Sequence, residues 1–159
     1  AWTAYGAISL LSLLFVPDKE VALTFVFLRA QPSGIEIFSS VMTENGYTVS
    51  DMTEELRTDW RVGSLIEDSR SLHTEDMRID FCVMDSTDSA RRIYSGMTLP
   101  VKDGEEYTYK GTNYRFFSIE DDNLYTAKIY SGNTVIYAAA SQECRDKLID
   151  LLRQMGYYK

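Results

Sequence analysis

The sequence predicts an α+β fold: a single antiparallel sheet with helices packed on one face, closing in a C-terminal β-meander and an amphipathic helix. Three observations lead there. Met77 to Asp85 alternates, with Ile79, Phe81 and Val83 on one side and Arg78, Asp80 and Cys82 on the other, the period of a half-buried strand. From Tyr107 to Ala140 come four β-rich stretches whose connections suit only hairpins. Cys144, Leu148, Leu151, Leu152 and Met155 then fall on one helical stripe that stops at Gly156.

Taken in order, the first regular element is a helix over about Gly34 to Glu44. Ser33 and Glu36 form a Ser-x-x-Glu capping box, Ile35, Phe38, Val41 and Met42 share a face, and Asn45-Gly46 supplies a left-handed stop. Tyr47 to Asp51 reads as a short strand. Met52 to Thr74 is polar and mixed, and no period assigns it. After the strand at Met77, the run Asp85-Ser86-Thr87-Asp88 offers N-caps for a helix to about Tyr94, stopped by Ser95-Gly96, and Leu99 to Glu106 reads as a loop. The meander strands are Tyr107 to Tyr109, Tyr114 to Ile119, Leu124 to Tyr130 and Thr134 to Ala140, and Ser141 caps the last helix. Both amphipathic helices are followed directly by Gly-Tyr, at Gly46-Tyr47 and Gly156-Tyr157, which a shared C-cap explains without invoking a duplication.

The chain has 159 residues, enough for one sizeable core. It carries 16 Lys and Arg against 24 Asp and Glu, a formal charge of -8 that repels a phosphate backbone, and Arg91-Arg92 is too small a patch to reverse it. Nucleic acid is therefore not an expected partner. Cys82 and Cys144 lie far apart without metal-ligand spacing, so no structural metal is expected; one disulfide is an open option, and two free thiols are favoured because Cys144 falls on the apolar stripe of the last helix while Cys82 alternates with Arg78 and Asp80 on a strand.

Residues 1–30 stand apart from the α+β domain of residues 31–159. Ala4 to Val16 is almost wholly apolar, Pro17-Asp18-Lys19-Glu20 interrupts, and Val21 to Leu28 is apolar again. Neither run reaches the roughly 20 residues that span a bilayer. The pattern fits a truncated membrane hairpin, and equally a buried helix and strand packed as an appendage, so attachment to a membrane through the N-terminus stays open.

Ile37-Phe38, Met42, Gly46-Tyr47, Asp51, Ile79-Asp80-Phe81, Ala90, Tyr94, Asn133 to Tyr137 and Gly156-Tyr157 resemble, over residues 34–157, small uncharacterised bacterial extracytoplasmic domains of lipoprotein type. Residues 5–28 resemble a fragment of a bacterial integral membrane protein, although no lipobox cysteine is present. The resemblance implies an extracytoplasmic address and no known activity.

His73 is the single histidine, with Ser71, Thr74, Glu75 and Asp76 around it. A hydrolytic site needs nucleophile, base and orienting carboxylate to converge, and no nucleophile elbow marks a serine here, so a surface histidine is the plainer reading. A small hydrolase using His73 is carried as the alternative function. Glu120-Asp121-Asp122-Asn123 offers oxygen ligands without the spacing of a calcium loop, and a hairpin tip explains it. No catalytic residue, metal site or cofactor is assigned.

The compositional excess is aromatic, eleven tyrosines in all. Looping the last hairpin at Gly132-Asn133 pairs Ile129 with Ile136 and Ala127 with Ala138, which turns Thr126, Lys128, Tyr130, Val135 and Tyr137 to the opposite face. Two tyrosines, a lysine and a valine suit an interface, and this face is the expected binding surface of a non-enzymatic extracytoplasmic interaction module. Its occupant would be an unknown protein partner or a second copy of the chain. A second core layer is the competing reading.

Overall fold

In a computed structural model that describes residues 34–59 and 61–158, seven strands form one antiparallel sheet accompanied by four α-helices. The expectations for residues 1–30, and Ser33 of the capping box, lie outside the described residues. Helix α1 (Gly34–Glu44) buries Phe38 and Met42. It ends in a Schellman motif: Tyr47 N–H donates to Met42 O at 2.9 Å and Gly46 N–H to Thr43 O at 3.0 Å, with Gly46 at φ 85°. The C-terminal helix closes identically, Tyr157 donating to Leu152 at 2.8 Å and Gly156 to Arg153 at 3.0 Å, with Gly156 at φ 86°. The repeated Gly-Tyr is thus a repeated cap.

The short strand expected over Tyr47 to Asp51 is β1 (Ser50–Asp51), and the unassigned stretch after it holds a short α2 (Thr53–Arg57), a 3-10 turn (Gly63–Leu65) and β2 (Ile66–His73). The alternating strand is β3 (Met77–Met84), followed by α3 (Thr87–Gly96), whose N-cap Ser86 accepts from Ser89 N–H. The meander is β4 (Glu105–Gly111), β5 (Tyr114–Glu120), β6 (Leu124–Ser131) and β7 (Thr134–Ser141). Helix α4 (Arg145–Gln154) follows a 3-10 turn over Gln142–Cys144. Ser141 precedes that turn but makes no side-chain cap, so the chain enters the last helix by tightening rather than through a serine cap.

Across the sheet the order is β1-β2-β3-β7-β6-β5-β4. The hairpin register is the one that keeps a face apolar: Ile129 opposes Ile136, Ala127 opposes Ala138, and Lys128 opposes Tyr137. Phe81, Ile136, Ile129 and Phe116 run across the strands on that face and meet Phe38 and Met42 of α1 and Leu148, Leu151 and Leu152 of α4. Phe81 stacks on Phe38 at 5.4 Å between ring centroids and meets Tyr157 edge-on at 6.0 Å.

The single-face expectation describes α1 and α4. The opposite face has its own cover: α3 packs Ala90, Ile93 and Tyr94 over Met84, Tyr130 and Val135, with Leu56 of α2 in the same cluster. Leu99 and Val101, from the loop after α3, lie on Ile119.

Candidate functional site

The site is built on this second face, in the gap between α2 and α3. The floor comes from three neighbouring strands. Ser71 of β2 opposes Asp80 of β3, which opposes Tyr137 of β7, and Cys82 of β3 opposes Val135 of β7. Met52, Leu56, Val62 and Ile66 form one wall, and Ile93 and Met97 the other. Together they enclose an open-mouthed well of about 220 Å³ whose surface is predominantly apolar. Such a volume holds one apolar group rather than a drug-sized ligand.

At the lip the chemistry changes. Asp80 gathers three donors: the Ser71 hydroxyl at 2.8 Å and His73 Nε2 at 3.0 Å on the same oxygen Oδ1, and Arg78 Nε at 2.7 Å on Oδ2. A carboxylate only accepts, so the imidazole proton facing it sits on Nε2. Arg78 also lies over the Tyr137 ring, 5.5 Å from its centroid. Among the described residues the remaining guanidinium N–H groups of Arg78 and His73 Nδ1, an acceptor when the ring proton is on Nε2, have no hydrogen-bond partner, and both side chains are about half exposed.

This grouping does not make a hydrolytic triad. A nucleophilic serine must hand its proton to the imidazole, with the carboxylate behind the imidazole. Here the carboxylate sits between the two, bound by Ser71 and His73 alike. Cys82 at the floor is a poor nucleophile as well, since burial pushes its thiol up from the ordinary value, and its Sγ lies 3.5 Å from Ser69 Oγ. Cys82 and Cys144 are both free thiols.

Of the five residues expected on a binding face, all share the second face, and Val135 and Tyr137 line the well. Thr126 and Tyr130 are buried beneath the chain's own loop and helix, and Thr126 donates to Ile119 O at 3.0 Å. Lys128 reaches the end of α3, where Nζ donates to Tyr94 O at 3.1 Å and Met97 O at 2.9 Å and sits over the Tyr94 ring. It thereby satisfies helix C-terminal carbonyls, and burial lowers its pKa. Much of the face is therefore an inner layer, closed by α3 and the loop after it.

Sequence reasoning missed the wall from Met52 to Ile66 and the hub role of Asp80. The strict alternation of β3 already placed Asp80 beside Cys82 and opposite the apolar side. Nothing in the polar run of β2 marked Ser71 and His73 as its neighbours. The acidic tip Asp121-Asp122-Asn123 is a turn: Asp121 Oδ1 accepts from Asn123 N–H at 2.8 Å and Leu124 N–H at 2.9 Å, which holds its carboxyl below the usual range. Among the described residues no cluster of histidine, cysteine and carboxylate side chains could hold a metal ion, and no helix is long and apolar enough to cross a membrane. Comparison of the chain with protein-family models, curated proteins and solved structures finds no match.

Proposed function

We propose that the domain is a non-enzymatic binding module, extracytoplasmic and membrane-associated in setting, that takes the apolar group of a small ligand into the well between α2 and α3. The setting rests on the apolar composition of Ala4 to Val16 and Val21 to Leu28 and on the lipoprotein-type resemblance. The observation that carries the reading is the pairing of an apolar well with a lip where Arg78 keeps guanidinium N–H groups beyond the Nε–H bonded to Asp80. That pairing favours a short hydrocarbon chain with an accepting head, a carboxylate above all.

The test is a titration of the isotope-labelled chain with hexanoate and with hexanol, followed by amide shifts. The expected result is saturating shifts at Leu56, Cys82, Ile93 and Met97, tighter for the acid than for the alcohol. Ile93→Trp, which fills the well, should abolish them. Shifts that do not saturate, or that survive Ile93→Trp, overturn the reading.

One observation favours a hydrolase as second reading: Ser71, His73 and Asp80 converge at one mouth. It requires Ser71 to leave Asp80 and turn to the imidazole. Ester hydrolysis lost equally in Ser71→Ala and His73→Ala would support it, and hydrolysis absent from the unaltered chain would dispose of it.

A further inference from the structure

Among the described residues the strand β4 is an edge of the sheet, paired with β5 alone, and all seven of its residues are exposed. It has no bulge against β5 and no proline, two of the devices that blunt an edge. Tyr107 and Tyr109 on it are large apolar side chains held open to solvent, 38% and 41% exposed. The charges along it are Glu105, Glu106 and Lys110.

Backbone phase decides which residues this edge offers. Gly132 N–H donates to Asn113 O at 2.9 Å, so Asn113 bonds toward β6 and its neighbour Tyr114 bonds toward β4. Tyr114 opposes Gly111 across the two-residue turn, and Gly111, Tyr109, Tyr107 and Glu105 consequently direct their N–H and C=O groups to β5. Glu106, Thr108 and Lys110 direct theirs outward.

We propose that β4 pairs with β4 of a second copy of this chain, antiparallel, about a two-fold axis at Thr108. This register opposes Thr108 to Thr108 of the other copy and Glu106 to Lys110 twice, each as a hydrogen-bonded pair, and sets Tyr107 beside Tyr109 twice at the closer, non-bonded positions. Charge complementarity selects it over its neighbours. An axis at Glu106 or at Lys110 opposes like charges, and an axis at Tyr107 or Tyr109 leaves Glu106 and Lys110 without each other. Tyr107 already lies 5.8 Å from Tyr158 and 5.7 Å from Phe116, and Tyr109 lies 5.7 Å from Tyr114, so the join extends an aromatic row that each copy begins. The contact is independent of the well, which lies toward the other end of the sheet order on β2, β3 and β7.

Sedimentation velocity of the full chain over a concentration series tests it, with Glu106→Lys, Lys110→Glu, the double charge swap and Thr108→Pro. Each single reversal should weaken the dimer by about tenfold or more, because two symmetric pairs change from attraction to repulsion. The double swap should return it to within about threefold of the original, since it restores both pairs with signs exchanged. Thr108→Pro, which removes an amide that bonds outward and not to β5, should abolish the dimer while far-ultraviolet circular dichroism stays unchanged. A chain that is monomeric throughout, an association untouched by Thr108→Pro, or a double swap as weak as the singles overturns the proposal.

Discussion

Asp80→Ala perturbs the hub of the lip, and its cost can be worked from the three groups it leaves. The Ser71 hydroxyl is the decisive one. Ser71 is only 4% exposed, and Asp80 is the acceptor it donates to. A buried donor left without a partner costs about 1–3 kcal/mol. The Arg78 and His73 pairs belong to half-exposed side chains and are worth roughly 0–1 kcal/mol each after solvent screening. The expected loss is therefore about 1–5 kcal/mol, with the stranded hydroxyl as its largest part. Ser71→Ala alone should cost about 1 kcal/mol, because Asp80 keeps two donors and some solvent. Combining the two removes donor and acceptor together, and the double variant should be more stable than the sum of the singles by about 1 kcal/mol or more. Urea unfolding of the four proteins measures this coupling. Additivity to within roughly 0.5 kcal/mol would refute the reasoning, since it would mean that water already serves the Ser71 hydroxyl.

Gly34→Ala places a Cβ 2.7 Å from Phe81 Cζ and 3.2 Å from the Tyr157 hydroxyl, against a ring pinned by Phe38; the expected cost is about 1–3 kcal/mol from overpacking. Urea unfolding checks it, and a stability equal to that of the parent would show that the Phe81 ring yields. Alkaline pH should destabilise the fold, because burial raises the phenols of Tyr94, Tyr125, Tyr137 and Tyr157 and the thiol of Cys82, Tyr125 to about 12. Their contribution is complete below the unfolded values, roughly 8.5 for the thiol and 10 for the phenols, and is lost as pH climbs toward the folded ones. Lys128, lowered by burial, acts in the opposite sense and offsets part of the loss. Melting temperatures should fall from pH 8.5 to 11.5, and a flat profile would contradict the shifts.

Wherever side-chain period and cap chemistry agreed, the fold could be read from residues alone. Phe38 and Met42 with Asn45-Gly46 placed α1, and Gly132-Asn133 placed the register of the last hairpin, because a slip there would expose Ile129 and Ile136. The region from Met52 to Thr74 failed for a physical reason. Strand β2 carries a register shift between Ile66 and Asp68 that breaks its alternation. Its Ser69 is buried and polar, the hydroxyl 3.5 Å from Cys82 Sγ and the backbone N–H donating to Thr53 Oγ1 at 2.9 Å, while Thr53 in turn donates to Asp68 at 2.9 Å. A strand whose interior is satisfied by hydrogen bonds to a neighbouring helix leaves no apolar stripe to detect. The well inherited that blindness, since one of its walls is this same region. Lys128 misled for the converse reason: a lysine on a sheet face looks solvent-directed until a helix end arrives to accept its protons.

The contrast between the two faces explains why one is a core and the other holds a well. On the first face, the row through β3, β7, β6 and β5 is Phe81, Ile136, Ile129 and Phe116, and two ten- or eleven-residue helices lie over it. Large side chains fill the space between the layers. On the second face the floor under the gap holds the small side chains Ser71, Cys82 and Val135, with Asp80 and Tyr137 beside them, and the flanking helix α2 has five residues. A short helix cannot reach α3 across β3, and small floor residues cannot rise to close the distance. An unfilled gap of this kind persists because its walls are independently anchored: α3 by Lys128 at its C-terminal carbonyls, and α2 by the Thr53 bonds to Asp68 and Ser69 and by Arg57, which donates to Ile66 O at 3.3 Å and to Glu67 O at 2.6 Å. Those anchors oppose the collapse that would otherwise shrink a cavity left by missing side-chain volume. The opening is therefore a property of how the second layer is tethered, and under the proposed binding role a ligand would meet walls that are already in position.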